Sequence, residues 1–134
     1  MKTKLHKLIS MAVLGVTLQT QSLPAWAGLA SNTQVTILHD NNNGFELIGA
    51  YGTLTGARYS ADNQQYIGCA DFGSNIFCSA KDKIGRYVHC SSSDPKFIAA
   101  VNAMTDSSYI NFRMAPGTTQ CSQLIVNNSS PNLR

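Results

Sequence analysis

Glutamate, long apolar runs and blocks of charge are scarce in this chain, and each scarcity removes a class of function. One Glu, Glu46, accompanies six Asp. The Asp stand mostly at turns, so nothing places two carboxylates together as glycoside hydrolysis requires. Past the N-terminal region no segment reaches the roughly 20 apolar residues that cross a bilayer. There is no internal repeat, no low-complexity tract and no basic run of the kind that follows a nucleic-acid backbone. Two histidines lie beyond the N-terminal region, His39 and His89. Neither belongs to an H-x-x-x-H or paired C-x-x-C spacing, so no metal site is expected. Asp40-Asn41-Asn42-Asn43-Gly44 carries its Gly one position early for a calcium loop, has no Glu at the twelfth position, and reads as a polar turn. No G-x-S-x-G elbow marks a nucleophilic serine. Asp71-Phe72-Gly73 stands without the other loops of a kinase, and no cofactor motif occurs.

What is present begins with a leader. Lys2, Lys4 and Lys7 precede a mostly apolar run from Leu8 to Leu18, followed by the polar stretch Gln19 to Ser22, Pro24 and the small-residue pattern Ala25-Trp26-Ala27. That is the order of regions in a secretory signal peptide. The apolar run is too short to span about 30 Å of hydrocarbon. The expectation is a cleaved signal peptide over residues 1–27 and a single small secreted domain over 28–134, beginning at Gly28 and released into a bacterial periplasm or the medium. The first Cys is Cys69, far from the apolar run, which excludes a lipid-modified Cys beside it. Of the ten basic residues three leave with the leader, and of the seven acidic residues none does. The remaining domain is near neutrality, and the basic balance of the whole chain is a targeting feature.

A domain of this length buries a modest core, about 60 to 70% of its unfolded surface. Four Cys in a short exported chain imply two disulfides, each contributing about 2 to 4 kcal/mol.

Short strands are expected at Val35 to His39, Phe45 to Ala50, Leu54 to Tyr59, Gln65 to Ala70, Ile76 to Ala80, Arg86 to Cys90, Tyr109 to Met114 and Gln120 to Val126, with turn chemistry between them. One helix interrupts them near residues 95–104. Ser93 or Asp94 caps it, Pro95 suits its first turn, and Phe97, Ala100, Val101 and Met104 recur at helical spacing. The fold class is therefore α+β, a mostly antiparallel β-sheet of seven or eight short strands with one helix, and an all-β sandwich is the alternative.

Centring one hairpin between Gly73 and Ser74 and the next on Ile84 sets Cys69 opposite Cys78 and Cys78 opposite Cys90. Outer strands of a three-stranded sheet lie about 9.6 Å apart, so Cys69 cannot reach Cys90. Two pairings survive: Cys69 with Cys78 plus Cys90 with Cys121, or Cys78 with Cys90 plus Cys69 with Cys121. The longer loop favours the second. The same registers put Ile67, Cys69, Ile76, Cys78, Ala80, Val88 and Cys90 on one apolar face. The opposite face carries Tyr59, Tyr66, Lys81 and Tyr87 in one row, Gly68, Ser79 and His89 in the next, and Phe77 beyond.

Rings beside hydrogen-bonding side chains suit ligands with apolar faces and polar edges, such as sugars and peptides. The leading expectation is an exported, non-catalytic binding or inhibitory module that recognises an extracellular or periplasmic protein or glycan through Tyr59, Tyr66, Lys81, Tyr87 and His89. It needs no cofactor, metal, nucleic acid or membrane span, and the sequence assigns no oligomeric state. A small secreted hydrolase or toxin using His39 or His89 as base is the second expectation, and a structural envelope component the third. Asn127-Asn128-Ser129 and Asn128-Ser129-Ser130 match the glycosylation acceptor pattern, relevant only in a host that glycosylates exported chains.

Overall fold

The computed structural model describes residues 32–40 and 47–129. Residues 1–31, with the expected signal peptide, the Asn41–Gly44 turn with its calcium-loop reading, Phe45, Glu46 and residues 130–134 lie outside them. Among the described residues seven strands form two antiparallel sheets. β1 (Thr36–Asp40), β2 (Leu47–Thr53), β6 (Tyr109–Met114) and β7 (Cys121–Asn127) make a four-stranded sheet in the order β1-β2-β6-β7, and β3 (Tyr66–Asp71), β4 (Ile76–Lys81) and β5 (Tyr87–Ser92) make a three-stranded sheet in chain order. Two short helices join them, α1 (Leu54–Arg58) and α2 (Pro95–Asn102).

The inner faces share one core. Ile37, Ala50, Ile110, Phe112 and Leu124 come from the four-stranded sheet and Ile67, Ile76, Cys78, Ala80 and Cys90 from the three-stranded one. Period-two alternation therefore sorted the three-stranded sheet correctly. α2 closes one side of the core with Phe97, Ile98, Ala100, Val101 and, just past its end, Met104, all half-buried. The cover of the three-stranded sheet is thus mainly the opposing sheet, with the helix as a flank. Asp94 is the cap: its Oδ1 accepts from Lys96 N at 2.9 Å, and Pro95 occupies the first turn.

Leu54 to Tyr59, expected as a strand, is α1 followed by its cap residue Tyr59. The cause is Thr53. Its Oγ1 accepts from Gly56 N at 2.9 Å and donates to Thr33 O at 3.2 Å, which starts a helical turn where β2 ends. Gly56 is required there because a Cβ would overlap the Thr33 carbonyl.

The disulfides are Cys69–Cys78 and Cys90–Cys121, so the pairing favoured by loop length is replaced by the other one. All three registered Cys sit in one row, Cys69 opposite Cys78 and Cys78 opposite Cys90. β5 is the strand of its sheet that lies beside the start of β7. Ser91 N donates to Thr119 O at 2.9 Å and Ser91 bridges Gln120 in parallel, bringing Cys90 and Cys121 to a Cα separation of 5.0 Å. Cys69, on the far strand, takes its cross-strand neighbour.

Candidate functional site

The registers that matter are fixed by two turns. At the β3–β4 turn Asp71 Oδ1 accepts from Gly73 N at 2.7 Å, and Gly73 adopts φ +88°, a conformation only glycine takes without strain. At the β4–β5 turn Gly85 does the same at φ +87°, and buried Asp82 organises the loop. Its Oδ1 accepts from Ile84 N and Arg86 N at 3.1 and 2.9 Å, and its Oδ2 lies 2.6 Å from Arg86 Nε. Burial pushes this carboxyl up, but the hydrogen bonds from Arg86 and the backbone, with the Arg86 charge, outweigh it, so its pKa lies below the usual 3.8.

With those turns closed, Tyr66, Lys81 and Tyr87 fall in one cross-strand row and Gly68, Ser79 and His89 in the next, with Phe77 opposite Ser91 in the third. This face points away from the core. Tyr66 and Tyr87 are 42% and 49% exposed. Ring centroids run Tyr66–Tyr87 at 6.4 Å, Tyr87–His89 at 5.4 Å and His89–Phe77 at 5.3 Å, the last two stacked at 27°. A continuous aromatic track therefore crosses the sheet. A Cβ on Gly68 would meet nothing within 4 Å, so the row beside the rings is open. The Tyr87 phenol is pushed above its ordinary value of 10.0, first by desolvation among the rings and then by the neighbouring Tyr66 phenol.

Tyr59 is not part of the track. It ends α1 at 63% exposure and leaves a row of Tyr66, Lys81 and Tyr87. His89 lies opposite Ser79, and no hydrogen bond joins the two among the described residues. His39 is on β1, in the other sheet, so the histidines do not converge. Among the described residues no three His, Cys, Asp or Glu side chains gather.

The four-stranded sheet presents an aromatic pair on its own outer face, Tyr51 and Tyr109, with centroids 6.4 Å apart. Both rings are half-buried. Beside them Asn111 Oδ1 and Arg113 Nε are buried without a hydrogen-bond partner among the described residues. In the acceptor patterns near the C-terminus, Asn128 is already committed. It accepts from Ser108 Oγ and donates to Ala103 O at 2.8 Å.

A cleft adjoins the track and was not evident from the sequence. Asn75, Ser91, Ser92, Ser93, Thr118, Thr119 and Gln120 line a cleft of about 370 Å³ where β5 meets the β6–β7 loop. Its sequence signal was two short hydroxyl runs, Ser91-Ser92-Ser93 and Thr118-Thr119, which are far apart in the chain and meet only through the Cys90–Cys121 junction.

Neither a family model, nor a curated protein, nor a solved structure is significantly similar to the chain.

Proposed function

We propose that the protein is an exported, non-catalytic binding module that holds a glycan against the outer face of its three-stranded sheet. One observation carries the reading: the Tyr66–Tyr87–His89–Phe77 track, with exposed tyrosines, open space at Gly68, and Lys81 and Ser79 offering polar contacts between the rings. Rings fixed on strands offer flat apolar area at small entropic cost, and the interleaved hydroxyl and ammonium groups match the polar edges of a sugar ring. Export is the compartment in which two disulfides persist. Both bridges formed, and the lack of any helix among the described residues long and apolar enough to cross a membrane, are compatible with a secreted protein.

The test is direct titration of the full chain, produced oxidised, with a panel of soluble oligosaccharides, beside the Tyr66→Ala/Tyr87→Ala variant. Binding by the parent, weakened at least tenfold in a variant with an unchanged thermal midpoint, supports the module. Equal affinity of the two proteins, or no glycan bound by either, sinks it and returns attention to protein partners.

A further inference from the structure

We infer that the cleft between β5 and the β6–β7 loop is a second subsite of the same ligand, and that it takes an uncharged saccharide. This rests on the glycan reading above and extends it. Three observations support it.

The first is composition. All seven lining residues carry hydroxyl or carboxamide side chains and none is ionisable. Such groups both donate and accept, as sugar hydroxyls do, and they provide no charge to hold a carboxylate or phosphate.

The second is availability. Ser92 Oγ is occupied by Asp94 N, and Thr118 Oγ1 by Ala115 O and Gln120 N. The side chains of Asn75, Ser91, Ser93, Thr119 and Gln120 make no hydrogen bond within the protein among the described residues. Except at Ser93, their backbone is nevertheless held: Asn75 O accepts from Phe72 N, Thr119 O from Ser91 N and Gln120 O from Ala115 N. A concave surface with a fixed frame and uncommitted polar groups is organised before a ligand arrives, which lowers the ordering cost of binding.

The third is continuity. Tyr87, His89 and Ser91 alternate outward on β5, Ser91 lies opposite Phe77, and Ser91 also lines the cleft. The track and the cleft therefore meet at one residue. From Tyr87 to Ser91 the strand advances about 13 Å, so a chain of several sugars stacked on the rings runs on into the cleft, whereas a disaccharide covers the rings alone.

The experiment compares chitin and cellulose oligomers, as disaccharide and as hexasaccharide, with a galacturonate hexamer, on three proteins: the parent, Tyr66→Ala/Tyr87→Ala, and Ser93→Ala/Thr119→Ala/Gln120→Ala. The last three side chains are exposed, and circular dichroism with a thermal midpoint checks their fold. A neutral hexasaccharide is expected to bind the cleft variant about tenfold more weakly than the parent, the loss of one or two hydrogen bonds, with disaccharide affinity unchanged. Equal hexasaccharide affinity of cleft variant and parent, with binding still lost in the tyrosine variant, overturns the subsite and leaves the module standing. Tighter binding of the galacturonate hexamer than of either neutral one overturns the uncharged class. Full affinity in the tyrosine variant overturns the module and the subsite together.

Discussion

Asp82 shows how much one side chain can organise. It is 3% exposed, and its carboxylate satisfies two backbone donors and the Arg86 guanidinium in the turn that sets Lys81 opposite Tyr87. Asp82→Asn is expected to cost about 1 to 3 kcal/mol at neutral pH, because a buried donor set loses its charged acceptor. The pH dependence has a definite sign. A folded pKa below 3.8 means that the contribution is complete above the unfolded value and fades as pH falls through the folded one. Urea unfolding of parent and variant should therefore differ most at neutrality and converge as pH drops below about 3.8. A gap unchanged into strong acid would contradict this assignment. The Arg86 ion pair adds little by itself, since Arg86 is half exposed and surface pairs are screened.

At the scale of elements, α2 has no fully buried residue, so its capping contributes a large share of its stability. Asp94→Ala should lower stability by about 1 kcal/mol, read as a lower denaturation midpoint with an unchanged slope. The β3–β4–β5 registers were legible in the sequence because each turn is encoded locally. Gly73 and Gly85 take the left-handed positions, and Asp71 and Asp82 fold back onto their own turns, so neighbouring strands could be aligned by counting. α2 was legible for the same reason, through Asp94, Pro95 and the stripe behind them. α1 was not. The branched and aromatic residues around Leu54-Thr55-Gly56-Ala57 suit a strand, and the Thr53 hydroxyl that caps the helical turn is itself held by a tertiary contact to the Thr33 carbonyl. Tyr59 was misplaced with it. The cleft was equally hidden, since its two walls belong to segments that only the packing of the sheets brings together.

For the whole molecule, the decisive contact is between the sheets. Which bridge Cys121 makes depends on which strand faces the start of β7, and no local pattern encodes that, so the sequence left two pairings open. The two bridges differ in effect. Cys90–Cys121 closes a separation of 31 residues and Cys69–Cys78 one of 9, for chain-entropy contributions of about 3.7 and 2.6 kcal/mol. Cys90→Ala/Cys121→Ala should thus melt about 5 °C below Cys69→Ala/Cys78→Ala, given a shift of roughly 4 to 8 °C per kcal/mol in a domain of this size. Calorimetry of the two double variants measures the difference, and equal midpoints would contradict it. With the proposed saccharide subsite in the cleft, the lower-melting variant should also bind the hexasaccharide more weakly, because the bridge it lacks joins the two walls of the cleft.

The order of the bridges along the chain carries one more consequence. Cys69 pairs with Cys78 and Cys90 with Cys121, so each bridge joins two cysteines that are consecutive in the chain. An oxidase that joins cysteines strictly in chain order therefore produces the native set without reshuffling.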